Sequence, residues 1–289
     1  MTKSRAVVRA KPGYQLTAEA VSTDGKQFLF TSYNCSTKQQ ALYRQFLGRR
    51  PKAELLMALP VGWWFTGVTW DVARGTPAVL TRDPNFTYQI QALLPQGWVS
   101  LWTGTRNDFG GKFPDDLDSR SGYEYLIVAD DLGSEWAKFR VNTSGDFTPY
   151  MQQDLTGPGE IHSIADGFSR SYDLFIGQDG SYICDWSARG TIQDALNQSK
   201  CTTVVGGAGW YGVGVVGDYP KQWLITYDFT ATRHEFECVG GRTVFSCGSP
   251  VMGERGTSTL RGSGFAYVYF GEVDRRIKTK FKNLGASNI

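Results

Sequence analysis

Long apolar runs are missing from this chain of 289 residues. No stretch approaches the roughly 18 apolar residues of a membrane-spanning helix, so no membrane insertion is expected. The opening residues, MTKSRAVVRAKPG, are basic with no apolar segment behind them. That reads as no secretory signal and as synthesis in the cytoplasm. Histidine is scarce, at His162 and His234, and no Cys/His spacing suits zinc. HExxH, GxSxG and the phosphate-binding P-loop are absent as well, so neither a metal nor a cofactor is expected. Cysteines are few, odd in number and widely spaced: Cys35, Cys184, Cys201, Cys238 and Cys247. Such spacing speaks against a disulfide framework and for buried thiols. A charge excess is lacking too, and a net charge of +2 argues against a generally basic nucleic-acid coat. Four N-x-S/T sequons, at Asn34, Asn85, Asn142 and Asn197, are the one hint of a secretory route.

Glycine and aromatic residues are plentiful, with 34 glycines and 14% Phe, Trp and Tyr. Both favour short strands joined by tight turns. An apolar phrase followed by a polar turn recurs six times, centred on Leu29, Val79, Leu126, Leu174, Leu224 and Val268. Each is followed by a second apolar strand, and in most units by a third: AELLMAL, GWVSLWT, FTPYMQQ, a weak TIQDALN, and RTVFSCG. A strand of small residues precedes the phrase, as in TAEAVS, FTGVTW, IHSIAD and YGVGVVG. In the third unit that strand is hard to place between Phe109 and Tyr123. Apart from DALNQSK, no segment reads as a helix.

Four antiparallel strands per unit at a period of about 40–50 residues is the pattern of a β-propeller. The expectation is an all-β fold, a single six-bladed β-propeller filling residues 1–289. Its blades fall near 14–60, 63–104, 109–155, 160–198, 202–250 and 257–289. The last unit stops after its third strand. Residues 1–12 hold a spare strand-like segment, AVVRA, so residues 5–11 are expected to complete the final blade and close the ring.

Arg82-Asp83-Pro84 and Glu237-Cys238 resemble the RDP and EC motifs of invertase- and levansucrase-type glycoside hydrolases, which are also propellers. The resemblance implies a transition-state-stabilising role for Asp83 and a general-acid role for Glu237. The family's nucleophile motif, close to NDPNG, is absent, and the family has five blades. The repeat supplies another origin for Asp83, because Asp130, Asp228 and Glu272 stand at the same offset from their own anchors. The expected place of Asp83 is a turn, away from the central channel.

Gly207-Ala208-Gly209-Trp210-Tyr211-Gly212 matches G-x-G-x-x-G, but strand-like sequence follows it where a dinucleotide site needs a helix. In FPDDLDSRSG, Asp115, Asp116 and Asp118 offer oxygens to calcium, yet Arg120 stands where such a loop wants another oxygen, and a solvated loop is expected. Glu160, His162 and Asp166 fall on a predicted inner strand as candidates to line the channel, where alternate residues share a face. Nine tryptophans, Trp63, Trp64, Trp70, Trp98 and Trp102 among them, suit sugar stacking or wedging between blades. No Trp/Arg/Glu set recurs at one repeat position, as a multi-site lectin would show.

Charge alternates along Arg276, Lys278, Lys280 and Lys282, with Ile277, Thr279 and Phe281 between them. The expected N-terminal partner strand brings Arg5 and Arg9 beside this stripe. Lysines there either protect a sheet edge or dock an acidic protein, with nucleic acid a further candidate. The sequence as a whole reads as a non-catalytic binding or assembly module whose partners are other protein subunits. At fold level it resembles the propeller parts of tailed-phage tail proteins, which implies incorporation into a virion. Carbohydrate binding is the first alternative and glycoside hydrolysis the second.

Overall fold

The centre of the recurring phrase is continuously apolar because it is buried on both sides. In Glu124–Asp130, Tyr125, Ile127 and Ala129 pack towards the preceding sheet with Leu80, Tyr88 and Ile90. Leu126 and Val128 pack the other way, against Ile161 and Ile164 of the following sheet. A strand covered on both faces needs no polar alternation, unlike a half-exposed one. The structure, a computed structural model, describes residues 12–22, 26–46, 53–120, 122–144, 150–166, 172–177, 180–206, 210–216, 221–228, 232–240, 245–247 and 252–255.

The chain forms successive antiparallel sheets, each running in sequence order. The first holds Tyr14–Val21 (β1), Gln27–Asn34 (β2), Gln39–Phe46 (β3) and Ala53–Ala58 (β4). The second holds Trp64–Asp71 (β5), Thr76–Arg82 (β6), Thr87–Leu94 (β7) and Gly97–Thr105 (β8). A single 3-10 turn, Arg106–Phe109, leads into the third: Phe113–Arg120 (β9), Glu124–Asp130 (β10), Glu135–Asn142 (β11) and Tyr150–Pro158 (β12). The fourth holds Ile161–Asp166 (β13), Tyr172–Gly177 (β14), Gly180–Asp185 (β15) and, after an excursion, its outer strand. That excursion contains Gly190–Thr191 (β16), which pairs in parallel with β12, and the helix Ile192–Asn197 (α1). The outer strand is Cys201–Gly206 (β17). The fifth sheet holds Trp210–Val216 (β18), Lys221–Asp228 (β19), Thr232–Gly240 (β20), Phe245–Cys247 (β21) and Met252–Arg255 (β22), the last two both pairing with β20.

First strands of neighbouring sheets lie against one another: β1 beside β5, β5 beside β9, β9 beside β13, and β13 beside β18. Side chains pin them. Thr69 donates to Asp118 Oδ1 at 2.8 Å between β5 and β9, and the Ile164 amide donates to Asp116 Oδ2 at 3.1 Å between β9 and β13. Farther out, Trp98 Nε1 of β8 donates to the Leu56 carbonyl of β4 at 2.9 Å.

Three expectations change. FPDDLDSR is not a solvated loop but the missing inner strand, β9, in which Asp116 and Asp118 accept hydrogen bonds from neighbouring strands and Asp115 is exposed. TIQDALN is not the outer strand of the fourth unit. Thr191 caps a helix there, its hydroxyl oxygen accepting from the Asp194 amide, and the outer-strand position falls to CTTVVG. Cys184 and Cys201 are not free thiols. They face each other across β15 and β17 with their Cα atoms 4.0 Å apart and are disulfide-bonded, spacing in sequence being no guide to adjacency in a sheet. After the G-x-G-x-x-G stretch the chain continues into β18, a strand. The expected sixth unit at 257–289 and the closing segment at 5–11 lie outside the described residues.

Candidate functional site at the starts of the inner strands

At one end of the sheets the inner strands begin and the turns from second to third strand stand beside them. Trp64 pairs with Arg82, Phe113 with Asp130, Ile161 with Gly177, and Trp210 with Asp228. Close to these starts β5, β9, β13 and β18 each skip one residue in the ladder, Thr66, Asp115, His162 and Gly212, whereas β1 skips Glu19 near its other end. Their spacing follows the sequence repeat. A bulge leaves its extra residue unpaired and breaks the two-residue alternation, which re-aims whatever stands there.

Asp115 sits on one such bulge amid other acids. Its pKa is pushed up to about 9, first by burial, then by the negative charge of Asp130, a hydrogen bond shared with it, and the charges of Asp116 and Glu160. Asp115 is nevertheless an exposed residue. Water therefore limits the burial effect, and the neighbouring carboxylates set the direction. Asp130 is committed to structure: its Oδ2 accepts the Ile161 amide at 3.0 Å and its Oδ1 the Leu132 amide at 2.8 Å. Asp116 is pushed up to about 7 by burial, against the lowering effect of the Ile164 and Leu117 amides.

Next to the acids runs a row of two touching rings with a cation over each. The Arg82 guanidinium lies 4.9 Å from the Phe86 ring centroid, and Arg106 lies 3.7 Å from that of Phe113. The two rings meet edge to face at 5.8 Å. Arg106 Nε donates to the Gly111 carbonyl, which fixes that guanidinium. Behind the row, the Tyr88 hydroxyl is fully buried and has no hydrogen-bond partner, and Arg82 Nε is in the same state. Burial raises the Tyr88 pKa, while the charge of Arg82, a polar contact with Arg82 that is too loose for a well-formed hydrogen bond, and the charge of Arg106 pull it down.

The local sequence explains how Phe86 is presented. In Asp83-Pro84-Asn85-Phe86, Asp83 Oδ1 accepts the amides of Asn85 and Thr87, both at 2.8 Å, which shapes the turn. Phe86 takes φ +60°, a left-handed conformation costing a side-chain-bearing residue about 1–3 kcal/mol. The equivalent turns hold Lys38 at +59° and Leu132 at +69°. Leu132 is 69% exposed and Phe86 39%.

Of the sequence candidates, Glu160 and the His162 backbone stand at this end, Glu160 close enough to raise Asp115. Asp166 ends the same strand, opposite Asp173, and so belongs to the far end. The bulge at His162 also removes the shared-face alternation expected for the trio. Asp83 is a turn residue, but such turns are not all remote from the inner strands, since Asp130 reaches Ile161 of β13. Glu237 lies on the third strand of the fifth sheet, opposite Trp223. Arg5, Arg9, Arg276, Lys278, Lys280 and Lys282 lie outside the described residues. Sequence reading named Arg82 only within the RDP resemblance and missed Tyr88 and Arg106; the one signal was the arginine and phenylalanine that share the turn phrase RDPNF. Among the described residues no group of three His, Cys, Asp or Glu side chains is arranged to hold a metal ion, and no helix is long and apolar enough to cross a membrane.

No family model matches the sequence, nor does any curated protein. In structure the chain is similar to an oligogalacturonate lyase in complex with manganese, with a TM-score of 0.55 at 9% identity, covering 85% of this chain and 68% of that one. It is also similar to Sqt1 of Chaetomium thermophilum, with a TM-score of 0.51 at 8% identity, covering 89% of this chain and 65% of that one. The chain therefore spans about two thirds of the length of each. Identities this low speak of fold alone, and the fold is propeller-like.

Proposed function

We propose that this chain is a non-catalytic binding and assembly module that docks an acidic segment of a partner protein at the end where its inner strands begin. The observation that carries the reading is the row Arg82, Phe86, Phe113 and Arg106. A guanidinium laid over a ring keeps its planar fork available at the edge, where a carboxylate binds through two hydrogen bonds. Exposed Phe86 and Leu132 add apolar contact beside the charges, as docking surfaces do. With its pKa near 9, Asp115 is neutral at pH 7 and does not oppose an acidic partner.

A second reading, an acidic saccharide, is favoured by Asp115. A solvent-exposed carboxylic acid offers a sugar hydroxyl both a donor and an acceptor. Glycoside hydrolysis through Asp83 and Glu237 has less support, since Asp83 is engaged by its own turn. The finer parts of the proposal are a six-bladed ring closed by residues 5–11, a further docking stripe at Arg5, Arg9, Arg276, Lys278, Lys280 and Lys282, and a virion tail as the assembly. The repeat supports six blades; the tail rests on the fold-level resemblance.

Fluorescence anisotropy with a labelled oligoglutamate peptide, and separately with labelled oligogalacturonate, tests the site. Peptide binding that weakens with salt and falls about tenfold in Arg82→Gln/Arg106→Gln, at unchanged melting temperature, supports docking. Binding of the saccharide alone moves the site to the second reading. Binding of neither probe, or peptide binding indifferent to the double substitution, overturns the site.

A further inference from the structure

Two of the cysteines outside the bonded pair hold directly opposite backbone positions in the next sheet. In the fourth sheet the bonded residues, Cys184 on β15 and Cys201 on β17, are direct partners on the ladder between third and fourth strands. In the fifth sheet Cys238 on β20 and Cys247 on β21 are likewise direct partners on the ladder between third and fourth strands. We propose that Cys238 and Cys247 form a second cross-strand disulfide, which fastens the outer hairpin of the fifth sheet.

Backbone geometry suffices for the bond. Residues directly opposite in an antiparallel pair have Cα atoms about 4.5–5.5 Å apart, within the roughly 4.4–6.8 Å that disulfides span. Local architecture gives the bond a task. Strand β21 is only three residues long, and β20 takes a different partner, β22, beyond it. A three-residue strand contributes few ladder hydrogen bonds, so a covalent tie at its last residue fixes the register of a short edge. The cysteine inventory also closes: two bonded pairs leave Cys35, half-buried after β2, as the single thiol.

The reaction is thiol–disulfide exchange with a small-molecule or protein disulfide as oxidant. One thiolate of the pair attacks the oxidant's S–S bond, expels the first thiolate and forms a mixed disulfide. The second thiolate then attacks the protein sulfur of that mixed disulfide and expels the other half of the oxidant. Two cysteine thiols lose two protons and two electrons, and the oxidant becomes two thiols. Such bonds persist where the surroundings are oxidising, so the finished protein would work in such a place.

The folded full-length chain is incubated in a series of oxidised glutathione concentrations, quenched by denaturation in iodoacetamide without reductant, and mapped by peptide mass spectrometry. The expected result is a linked peptide containing Cys238 and Cys247, with Cys35 the single alkylated cysteine. A Cys35→Ser variant should give the same link and no alkylated cysteine. Alkylation of both Cys238 and Cys247 at the highest oxidant concentration overturns the proposal, whatever happens at Cys184 and Cys201. So does a link from Cys35 to either residue in the wild-type chain.

Discussion

Gly67 stands where β5 comes close to β9. A Cβ added there would come within 2.5 Å of the Leu117 Cβ and 2.6 Å of the Leu117 amide nitrogen, and a backbone atom cannot rotate aside. Replacing Gly67 with alanine should therefore spread β5 from β9 and weaken the Thr69–Asp118 hydrogen bond between them, costing about 1–3 kcal/mol of stability. Urea unfolding would register the loss, and a midpoint equal to wild type would show that the strands separate freely. The small-residue character of FTGVTW announced this closeness in the sequence. The isolated polarity of Tyr88 did not announce itself, because a tyrosine in an alternating strand looks like any other core aromatic until its hydroxyl is found without a partner. Asp83 is the reverse case: its recurring offset marked a turn residue, and the two amides it accepts bear that out.

Sheets are fastened to one another at the far end as well. Tyr125 of β10 donates its hydroxyl proton to Asp71 at the end of β5, and Arg74 in the following turn pairs with the same carboxylate at 2.8 Å. Arg74 also donates to the Thr143 carbonyl at 2.8 Å and lies over the Tyr123 ring, so one side chain clasps both ends of the β10–β11 hairpin. Asp71 is 1% exposed, and removing the phenol leaves a buried carboxylate short of one hydrogen bond. Tyr125→Phe should cost about 1–3 kcal/mol in the same unfolding experiment, and no loss would mean that Arg74 alone satisfies Asp71. Strands of this kind were legible because their apolar runs recur. β9 was not legible as a strand, because Asp115, Asp116 and Asp118 carry the polarity of a loop. The Asp116 and Asp118 carboxylates are tolerable there because neighbouring inner strands supply an amide and a hydroxyl donor, a fact of the assembled sheets. The helix at Ile192–Asn197 was half-read for a similar reason. Its short apolar stripe packs Ile192 and Ala195 into the same core as the strands.

Across the whole molecule, crowding carboxylates near the inner strands ties stability to pH. Asp115 and Asp116 have folded pKa values raised to about 9 and about 7, against 3.8 as the ordinary value. Between pH 4 and 9 the folded chain thus holds protons that the unfolded chain has released. Stability must then decline as pH rises, because its slope follows protons bound in the unfolded state minus those bound in the folded state. The contribution is complete below about pH 4 and is lost as pH climbs through 7 and then 9. Asp131 runs in the opposite sense, its pKa held low by Ser134 and two backbone amides, but its stabilisation is already complete above pH 4 and does not offset the decline. The urea midpoint should accordingly fall between pH 5 and pH 9. Asp115→Asn, which keeps the hydrogen bond to Asp130 without an ionisable proton, should flatten most of the fall above pH 7, whereas Asp83→Asn should leave it unchanged. A midpoint constant from pH 5 to 9, or a decline identical in Asp115→Asn and wild type, would mean that Asp115 ionises as freely in the folded chain as in the unfolded one. The acid cluster would then be open to water and counter-ions throughout, and the neutral Asp115 invoked beside the Arg82–Arg106 row would have to be abandoned.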